Sequence, residues 1–381
     1  MPRLTPFAAL RYDPAIAGPI DALVAPPYDV ISAREEARLL ARNPHNVVRL
    51  EGSAAASGEA EHRAAAELLA AWRAEGVLVG TGPSLYAYEM AYVLGGRPRT
   101  TRGVLAALEI EPWGGAVLPH EQVSTAPLGE RLGRLRAMRA NLSPIHVVLP
   151  GPSPLLGAAL EVAMRAEPIA EALDDDGVRH RVWSFAMDTA VAAEVGAQAC
   201  MIADGHHRYT TALAYREEMR ALHGAGPWDH VLAFVGDADD APVLPFHRLV
   251  VRGALREPDA EEVSLAATLA SLDDDVPRVG LVRTAGGGAV TYGTVDLGAP
   301  PPAVEALEPL LPADEDAVRY LADPAEADAL VRSGDAVGAW FLPPTTAARV
   351  RAAVDAGRRL PRKSTYFWPK PRTGFVLRPF D

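Results

Sequence analysis

Residues whose types and spacing could bind an anion lie together at 203–216, ADGHHRYTTALAYR. A short apolar run, Cys200–Ile202, predicts a buried strand, and Asp204 with Gly205 is typical of the turn that ends a strand. Apolar residues at helical spacing from Tyr209 onward predict a helix directly after this turn. The first turn of a helix has N–H groups without partners inside the helix and the positive end of the dipole. It can therefore bind phosphate.

The side chains of this turn suit the same chemistry. Gly205 lets a ligand approach the backbone closely, and Arg208 can donate two parallel hydrogen bonds to phosphate oxygens. The imidazoles of His206 and His207 can donate or ligate, and His206 is also a candidate catalytic residue. We therefore predict that residues 204–208 form a phosphate-binding turn. The alternative stays open that Asp204 only caps the helix and that the histidines are exposed and idle.

Composition limits the classes of function. The chain has 381 residues and a net charge of −12, which argues against a nucleic-acid partner bound by phosphate neutralisation. Cys200 is the single cysteine, which excludes an internal disulfide and a cysteine-based zinc site. No apolar stretch approaches the roughly 18 residues of a membrane helix, and the first residues lack the apolar segment of a signal peptide. We expect a cytoplasmic protein with no membrane partner and a small-molecule substrate.

Two segments place further candidates for substrate binding. Tyr28 and Asp29 come before a predicted helix, Ala33 to Arg42, and they could face a ligand or form a local turn. Arg49 lies in a run, residues 47–50, that predicts a strand. His247 and Arg248 form a second His-Arg pair, just before an apolar segment.

An adjacent acid and base follow a short apolar segment at residues 117–119. His120 and Glu121 are a candidate pair for general acid–base catalysis, although such a pair is also typical of a surface loop. A helix is predicted next, over about Leu128 to Ala140.

The C-terminal residues 362–380, RKSTYFWPKPRTGFVLRPF, are basic and aromatic in a chain that is acidic elsewhere. Pro369 and Pro371 exclude a regular helix. Either this tail joins the domains, or Lys363 or Lys370 reaches the anion site. Both interpretations stay open.

Five motifs in order resemble one family of uncharacterised bacterial and archaeal proteins, the DUF1015 family, over essentially the whole chain. The motifs are APPYDVIS (25–32), PHE (119–121), ADGHHRY (203–209), FHRLV (246–250) and KSTYFWPKPRTG (363–374).

A more distant resemblance is to the ParB/sulfiredoxin-like fold, and within it to free-serine kinases. It rests on PHE, on an R-L-x-x-L helix at residues 131–135, on P-I-x-V-V at residues 144–148, and on the DGHHR turn. The resemblance implies that Glu121 is the base that takes the proton from the serine hydroxyl. It also implies that residues 204–208 hold the phosphates of ATP or ADP, with Mg²⁺ as the metal. A long insertion would separate Pro144 from Asp204.

Taken together, the sequence predicts a mixed α/β protein with a ParB/sulfiredoxin-like core embedded in a larger mixed sheet. Three regions are expected: an N-terminal α/β region (1–115), a catalytic core with an insertion (116–250), and a C-terminal α/β region (251–381) whose basic tail returns to the core. P-loop, protein-kinase and Rossmann motifs are absent from the sequence.

The predicted function is phosphate transfer from a nucleotide to the hydroxyl of a small metabolite such as L-serine. A phosphoserine phosphatase and a nucleotide-binding regulatory module without turnover are the alternatives. No residue is assigned as a protein ligand of a metal. The chain could form a homodimer, which the sequence does not determine.

Overall fold

The computed structural model divides the chain into two compact units. The first comprises Met1–Pro119, Val123–Ala241 and Pro369–Asp381, and the second comprises His120–Gln122 and Pro242–Trp368. The three regions predicted from the sequence stay a prediction. The residues that the structure describes are 3–52, 58–121, 128–186, 188–255, 261–272, 276, 278–284, 289–298 and 302–381.

The first unit contains a mixed sheet of nine strands among its described residues, in the order β6-β11-β8-β12-β5-β4-β10-β9 with β1 beside β5. Strands β6 and β11 are parallel, as are β8 and β12, and the other pairs are antiparallel. The strands are Leu4–Thr5 (β1), Leu85–Leu94 (β4), Arg97–Glu109 (β5), Val117–Pro119 (β6), Ile145–Leu149 (β8), Ala170–Leu173 (β9), Arg179–Phe185 (β10), Cys200–Asp204 (β11) and His230–Asp237 (β12).

Two shorter pairs complete the strands of this unit. Leu10–Tyr12 (β2) pairs with Leu78–Gly80 (β3), and Ala140–Asn141 (β7) pairs with Arg378–Pro379 (β21). The tail at Pro369–Asp381 is thus part of the first unit, where Thr373 and Ala25 exchange two backbone hydrogen bonds of 2.9 and 3.1 Å. Leu377 of the same tail is fully buried in an apolar cluster.

The sequence predicts paired strands over residues 85–94 and 101–110, and the long hairpin of β4 and β5 confirms the pair, with β5 beginning earlier, at Arg97. Leu94 and Arg97 face each other across a two-residue turn, and both turn residues, Gly95 and Gly96, have positive φ angles. Such a turn matches the twist of the strands, and glycine adopts it without strain.

The strands nearest the predicted anion site are buried. All five residues of β8 are buried, which is typical of a strand covered on both faces. Because β8 and β11 are antiparallel, His146 lies opposite Asp204. The beginning of β8 therefore lies beside the end of β11, where the DGHHR turn begins.

Helices flank the strands of the first unit. They are Pro14–Ala17 (α1), Ala33–Arg42 (α2), Val48–Glu51 (α3), Glu59–Ala74 (α4), Leu128–Met138 (α5), Pro154–Ala163 (α6), Thr189–Gly196 (α7) and His206–His223 (α8). The predicted helix from Ala33 to Arg42 is confirmed, and the Ser32 hydroxyl accepts a hydrogen bond of 3.2 Å from the Glu35 N–H at its start.

The strand predicted over residues 47–50 is wrong, since α3 occupies that position. Asn46 precedes this helix and favours a turn at its start, because its side-chain oxygen accepts a hydrogen bond of 3.0 Å from the Val48 N–H. Its amide group donates to the Ala22 carbonyl at 2.8 Å. These two hydrogen bonds between side chain and backbone favour a turn at this position over pairing in a sheet.

The second unit has its own antiparallel sheet, in the order β15-β17-β16-β19-β14-β18, and a separate pair of β13 and β20. Its strands are Val243–Leu244 (β13), His247–Val250 (β14), Glu261–Val263 (β15), Arg278–Thr284 (β16), Val290–Asp296 (β17), Val318–Leu321 (β18), Gly338–Phe341 (β19) and Tyr366–Phe367 (β20). Its helices are Leu265–Ala270 (α9), Ala303–Leu307 (α10), Pro324–Ser333 (α11) and Ala347–Asp355 (α12).

Residues 261–272 of the second unit read as a helix in the sequence, and this prediction is wrong in its first part. Residues Glu261–Val263 pair with β17 as a strand. The helix begins only after Ser264, whose hydroxyl accepts from the Ala267 N–H at 3.2 Å. The mixed α/β class predicted from the sequence is confirmed by the two units. Among the described helices, none is long and apolar enough to cross a membrane.

Candidate active site

The DGHHR turn joins β11 to α8 in the first unit, as the sequence predicts. Gly205 is the residue before the helix and has a left-handed backbone, with φ +94° and ψ 28°. A β-carbon at this position would lie 2.9 Å from the Ile145 methyl carbon Cγ2 and 3.1 Å from Arg208 Cζ. Glycine is therefore required both by the backbone angle and by the close packing around it.

Asp204 does not cap the helix, so the capping alternative considered above is wrong. Its carboxylate instead binds two cations, Lys370 Nζ through Oδ1 and Arg208 Nη2 through Oδ2. Burial by itself would raise the pKa of Asp204, but the charges of Lys370 and Arg208 outweigh burial and hold the pKa well below its ordinary value. The three side chains together carry one net positive charge, which the Asp29 carboxylate, 3.9 Å from Arg208, offsets.

Arg208 is turned toward the protein interior. Its Nη1 donates to the Pro144 carbonyl and its Nη2 to Asp204, while the Asp29 carboxylate lies 3.9 Å away. Its Nε is buried without a hydrogen-bond partner. Burial lowers the pKa of Arg208, but the charges of Asp204 and Asp29 raise it above its ordinary value. Arg208 is therefore a fixed positive charge, and its direct binding of phosphate stays a prediction.

The two histidines of the turn differ in environment. His206 is buried, and its ring is stacked on Trp113 with 6.2 Å between centroids and 16° between planes. His207 is half-buried. The His206 ring is thus part of a packed aromatic pair, and the catalytic role predicted for this histidine stays a prediction.

A cavity of about 540 Å³, counted with its open mouth, lies next to Arg208 in the first unit. Three guanidinium groups and one carboxylate share it, so its ionisable lining has a surplus of positive charge. Its lining residues are Tyr28, Glu51, Arg131, Arg134, Leu135, Met138, Ala140, Asn141, Leu142, Ser143, Arg208, Thr211 and Val231.

The arginines of α5 are held in place by α3 and by an aromatic ring. The Arg131 guanidinium lies over the Tyr28 ring, 3.1 Å from its centroid, and Arg134 Nη1 donates to the Leu50 carbonyl at 2.9 Å. Burial, and then the neighbouring charge of Arg131, lower the pKa of Arg134. Like charges crowded in a buried place favour an anionic ligand, which would relieve their repulsion.

Glu51 is the carboxylate of this cavity, and it was missed in the sequence. Its side chain is buried, with 7% of the residue exposed, and Oε2 has no hydrogen-bond partner. Burial raises the pKa of Glu51, although the charges of Arg131, Arg208 and Arg134 oppose this shift. The sequence carried no signal for it, because residues 47–50 read as a strand and the cavity depends on the distant helix α5.

Only some of the substrate-binding candidates of the first unit lie at the cavity or at the DGHHR turn. Tyr28 lines the cavity, and Lys370 reaches the DGHHR turn through Asp204, as one of the two interpretations of the tail expected. Asp29 is exposed beside Arg208. Arg49 is exposed and donates to the Leu40 carbonyl at 2.9 Å, and it is not among the residues that line the cavity.

The predicted acid–base pair belongs to the second unit. The His120 ring is buried, with Nε2 2.6 Å from the Thr365 hydroxyl, and it packs edge-on to Phe367. Glu121 forms a parallel backbone bridge with Leu360, and its Oε2 accepts from the Lys363 N–H at 3.3 Å. The catalytic roles of His120 and Glu121 stay predictions.

The other three candidates also belong to the second unit. His247 is buried, and its Nδ1 accepts from the Leu342 N–H at 3.2 Å. Burial, and then the charge of Arg248, lower the pKa of His247 to about 4. Arg248 is buried and donates to the carbonyls of Phe246 and Lys363 at 2.8 and 2.9 Å. Both side chains therefore hold the backbone of their own unit, and substrate binding by them or by Lys363 stays a prediction.

No cluster of three or more His, Cys, Asp or Glu side chains that could hold a metal ion occurs within the described ranges. The acidic turn at residues 174–176 is occupied by the protein's own cations, since Arg372 Nε donates to Asp174 at 3.0 Å and Arg42 binds Asp175 at 2.7 Å. If Mg²⁺ acts at this site, the phosphates of the substrate would supply most of its ligands, as is common for this ion.

Comparison with known proteins gives a family and several distant folds. The family described as "Protein of unknown function (DUF1015)" matches residues 4–284. No curated protein matches the chain.

Three solved structures resemble this one distantly. A conserved hypothetical protein from Pyrococcus furiosus is 14% identical with a TM-score of 0.36, over 68% of this chain and 90% of that one. A free serine kinase in complex with AMP is 14% identical with a TM-score of 0.37, over 68% and 88%. A C-terminally truncated SbnI from Staphylococcus aureus is 12% identical with a TM-score of 0.37, over 71% and 85%.

Proposed function

Because this chain belongs to the DUF1015 family, whose description names no activity, we propose its function from the site itself: a phosphotransferase that moves phosphate from a nucleotide to the hydroxyl of a small metabolite. L-Serine is the proposed acceptor, and ATP or ADP the proposed donor. The acceptor and donor follow the motif resemblance to free-serine kinases.

One observation carries the proposal: Arg208 belongs both to the DGHHR turn and to the lining of a cavity that contains two more arginines. The turn offers the N-terminus of α8 and a glycine without a side chain, which suits the phosphates of a nucleotide. The cavity beside it offers fixed positive charge for a second, smaller anion. Two adjoining anion sites are what a transfer between a nucleotide and a small acid needs.

The chemistry of phosphoryl transfer depends mainly on positioning and on neutralising phosphate oxygens. In this proposal the backbone at Gly205, His206 and His207 binds the nucleotide phosphates. The Asp204–Lys370–Arg208 cluster supplies the positive charge behind the turn. Mg²⁺, held largely by the phosphates, would neutralise the transferred group. Glu121 is the proposed base for the acceptor hydroxyl, on the motif resemblance alone.

The decisive experiment incubates the purified full chain with Mg²⁺, ATP or ADP, and L-serine, and follows phosphoserine in both directions. Nucleotide loss that depends on serine supports the kinase. Phosphate release from phosphoserine without nucleotide would support a phosphatase, and nucleotide binding without turnover would support a regulatory module. Either of the last two results would overturn the proposed transfer.

Two variants separate binding from chemistry. Arg208→Ala should weaken nucleotide binding by about 1.5–3 kcal/mol, the scale of a hydrogen bond to a charged group. Arg208→Lys, which keeps the charge, should lose less, and Arg63→Ala, at an exposed arginine of the same unit, is the matched control. Glu121→Gln should lower turnover by about 10²–10⁴-fold, the usual contribution of a general base, with nucleotide affinity unchanged. Unchanged turnover in Glu121→Gln would remove this residue from the mechanism.

A further inference from the structure

The cavity of the first unit has one feature that a simple anion site does not need. Glu51 places a buried carboxylate oxygen, Oε2, in it without a hydrogen-bond donor. Buried acceptors are nearly always paired, and this one has arginines as neighbours that donate elsewhere. Arg134 donates to the Leu50 carbonyl, and Arg131 donates to the backbone carbonyl of Glu51 itself, at 3.4 Å. The Ser143 hydroxyl lies near the same carboxylate and lowers the pKa of Glu51. A donor group on a ligand in the cavity would pair Oε2.

The signs of charge in the cavity restrict that ligand. A purely anionic molecule would suit Arg131 and Arg134 but would face the Glu51 carboxylate. A purely cationic molecule would suit Glu51 but would face three guanidinium groups. A lining with groups of both charges therefore favours a ligand that carries both an anionic group and a hydrogen-bond donor. It disfavours a purely anionic or a purely cationic ligand.

We propose that this cavity binds the phosphate acceptor, and that the acceptor is a small α-amino or α-hydroxy acid. Its carboxylate is bound by Arg131 and Arg134, and its ammonium or hydroxyl donates to Glu51 Oε2. Glu51 is thus a specificity-determining residue. This inference rests on the proposed function, in which the nucleotide occupies the neighbouring turn.

The position of the cavity agrees with this assignment. Arg208 lines it and also binds Asp204 of the DGHHR turn. A ligand in the cavity therefore lies beside the end of the turn at which the nucleotide phosphates are proposed to bind.

The test is calorimetric titration of the full chain without nucleotide, using four probes. L-Serine carries carboxylate, ammonium and hydroxyl, and L-glycerate, which has the same configuration at the α-carbon, has a hydroxyl in place of the ammonium. Ethanolamine lacks the carboxylate. Inorganic phosphate is an anion that has neither an ammonium group nor a carbon skeleton. We expect serine or glycerate to bind at least about tenfold more tightly than ethanolamine and phosphate, the scale of one charge-assisted hydrogen bond.

Substitution of Glu51 then identifies the donor. If the ammonium is the donor, Glu51→Gln weakens the binding of serine by about tenfold or more, and it changes the affinity for glycerate by less than about threefold. If the hydroxyl is the donor, both ligands weaken together. The matched control is Glu67→Gln, an exposed carboxylate of the same unit, which should change neither. Arg131→Gln should weaken both acids, through loss of the carboxylate partner.

Three outcomes would overturn the inference: no binding of either acid, phosphate binding as tightly as both, or affinities that Glu51→Gln leaves unchanged. Circular dichroism and binding of ADP to the same variants show whether the fold and the turn are intact. If the parent chain binds ADP but neither acid, only the assignment of the cavity is refuted. Failure of the parent chain to bind ADP refutes the proposed function, while the acid titrations still test the cavity.

Discussion

The cluster of Asp204, Lys370 and Arg208 makes a quantitative prediction about the stability of the first unit. Lys370→Met removes one of the two cations that bind the Asp204 carboxylate. Removing one partner of a buried ion pair costs about 3–5 kcal/mol, because the other charge is left buried. Since Arg208 still binds Asp204, we expect a loss near the lower end, about 3 kcal/mol.

A double-mutant cycle separates the ion pair from the packing of the lysine stem. Asp204→Asn leaves two cations without their carboxylate and should also destabilise the unit. Lys370→Met with Asp204→Asn removes both partners, so its loss should be smaller than the sum of the single losses. We expect a coupling energy of about 1–3 kcal/mol, the range for residues in one ion-pair network.

Because the chain has two compact units, a single unfolding curve would not report on one of them. Native-state hydrogen exchange of peptides that cover β11 and α8 gives the local opening free energy in the full chain. Lys363→Met, in the second unit, is the control and should leave these peptides unchanged. A coupling energy indistinguishable from zero would refute the assigned ion pair.

The same cluster sets the response to acid. The folded-state pKa of Asp204 lies below its ordinary value. The ionised carboxylate therefore stabilises the unit fully above the unfolded pKa of about 3.9. This stabilisation is lost only as the pH falls through the lower, folded-state pKa. In Lys370→Met the folded pKa rises toward the unfolded one. Exchange protection of β11 should therefore be lost at a higher pH than in the parent chain.

Two further predictions concern single residues of the first unit. Gly205→Ala should destabilise it by about 1–3 kcal/mol through backbone strain and through the 2.9 Å approach to Ile145. Gly177→Ala, at φ +76° with nothing within 4 Å, has the strain alone and should lose less; equal losses of opening free energy in native-state hydrogen exchange would refute the packing argument. Burial lowers the pKa of His146 to about 4, below its unfolded value of about 6.5. The stability that depends on the neutral ring is present above the unfolded pKa. It is lost as the pH falls toward 4, at up to about 1.4 kcal/mol per pH unit. His146→Leu should flatten this slope in hydrogen exchange, the exposed His223→Leu should keep it, and an unchanged slope in His146→Leu would contradict the assignment.

Local patterns predicted the elements that local forces determine. The Ser32 cap and the helix after it, the β4–β5 hairpin, and the strand–turn–helix at residues 200–223 all follow from spacing, capping and turn residues near one another in sequence. Each depends on hydrogen bonds between neighbours in the chain. A sequence read in short windows contains that information.

The failures have a common physical cause. At residues 47–50 an apolar run could be strand or helix, and the choice was made by Asn46, which binds Val48 on one side and Ala22 on the other. The importance of Glu51 depends on α5, about eighty residues later, which brings Arg131 and Arg134 to the same cavity. Contacts over such separations leave no periodic signal in the sequence.

Asp204 shows why the chemistry of the turn could be only partly predicted. Read locally, its carboxylate is a helix cap and Arg208 is a free anion ligand. In the folded unit the carboxylate is mostly buried, with 15% of the side chain exposed, and a buried charge must be paired. One partner, Arg208, is four residues away, and the other, Lys370, is 166 residues away. Lys370 brings a second cation to the turn; without that lysine, the charges of Asp204 and Arg208 would cancel, and Asp29 beside Arg208 would leave a negative surplus. The polarity of the proposed phosphate site is therefore a property of the tail at residues 369–381 as much as of the DGHHR motif.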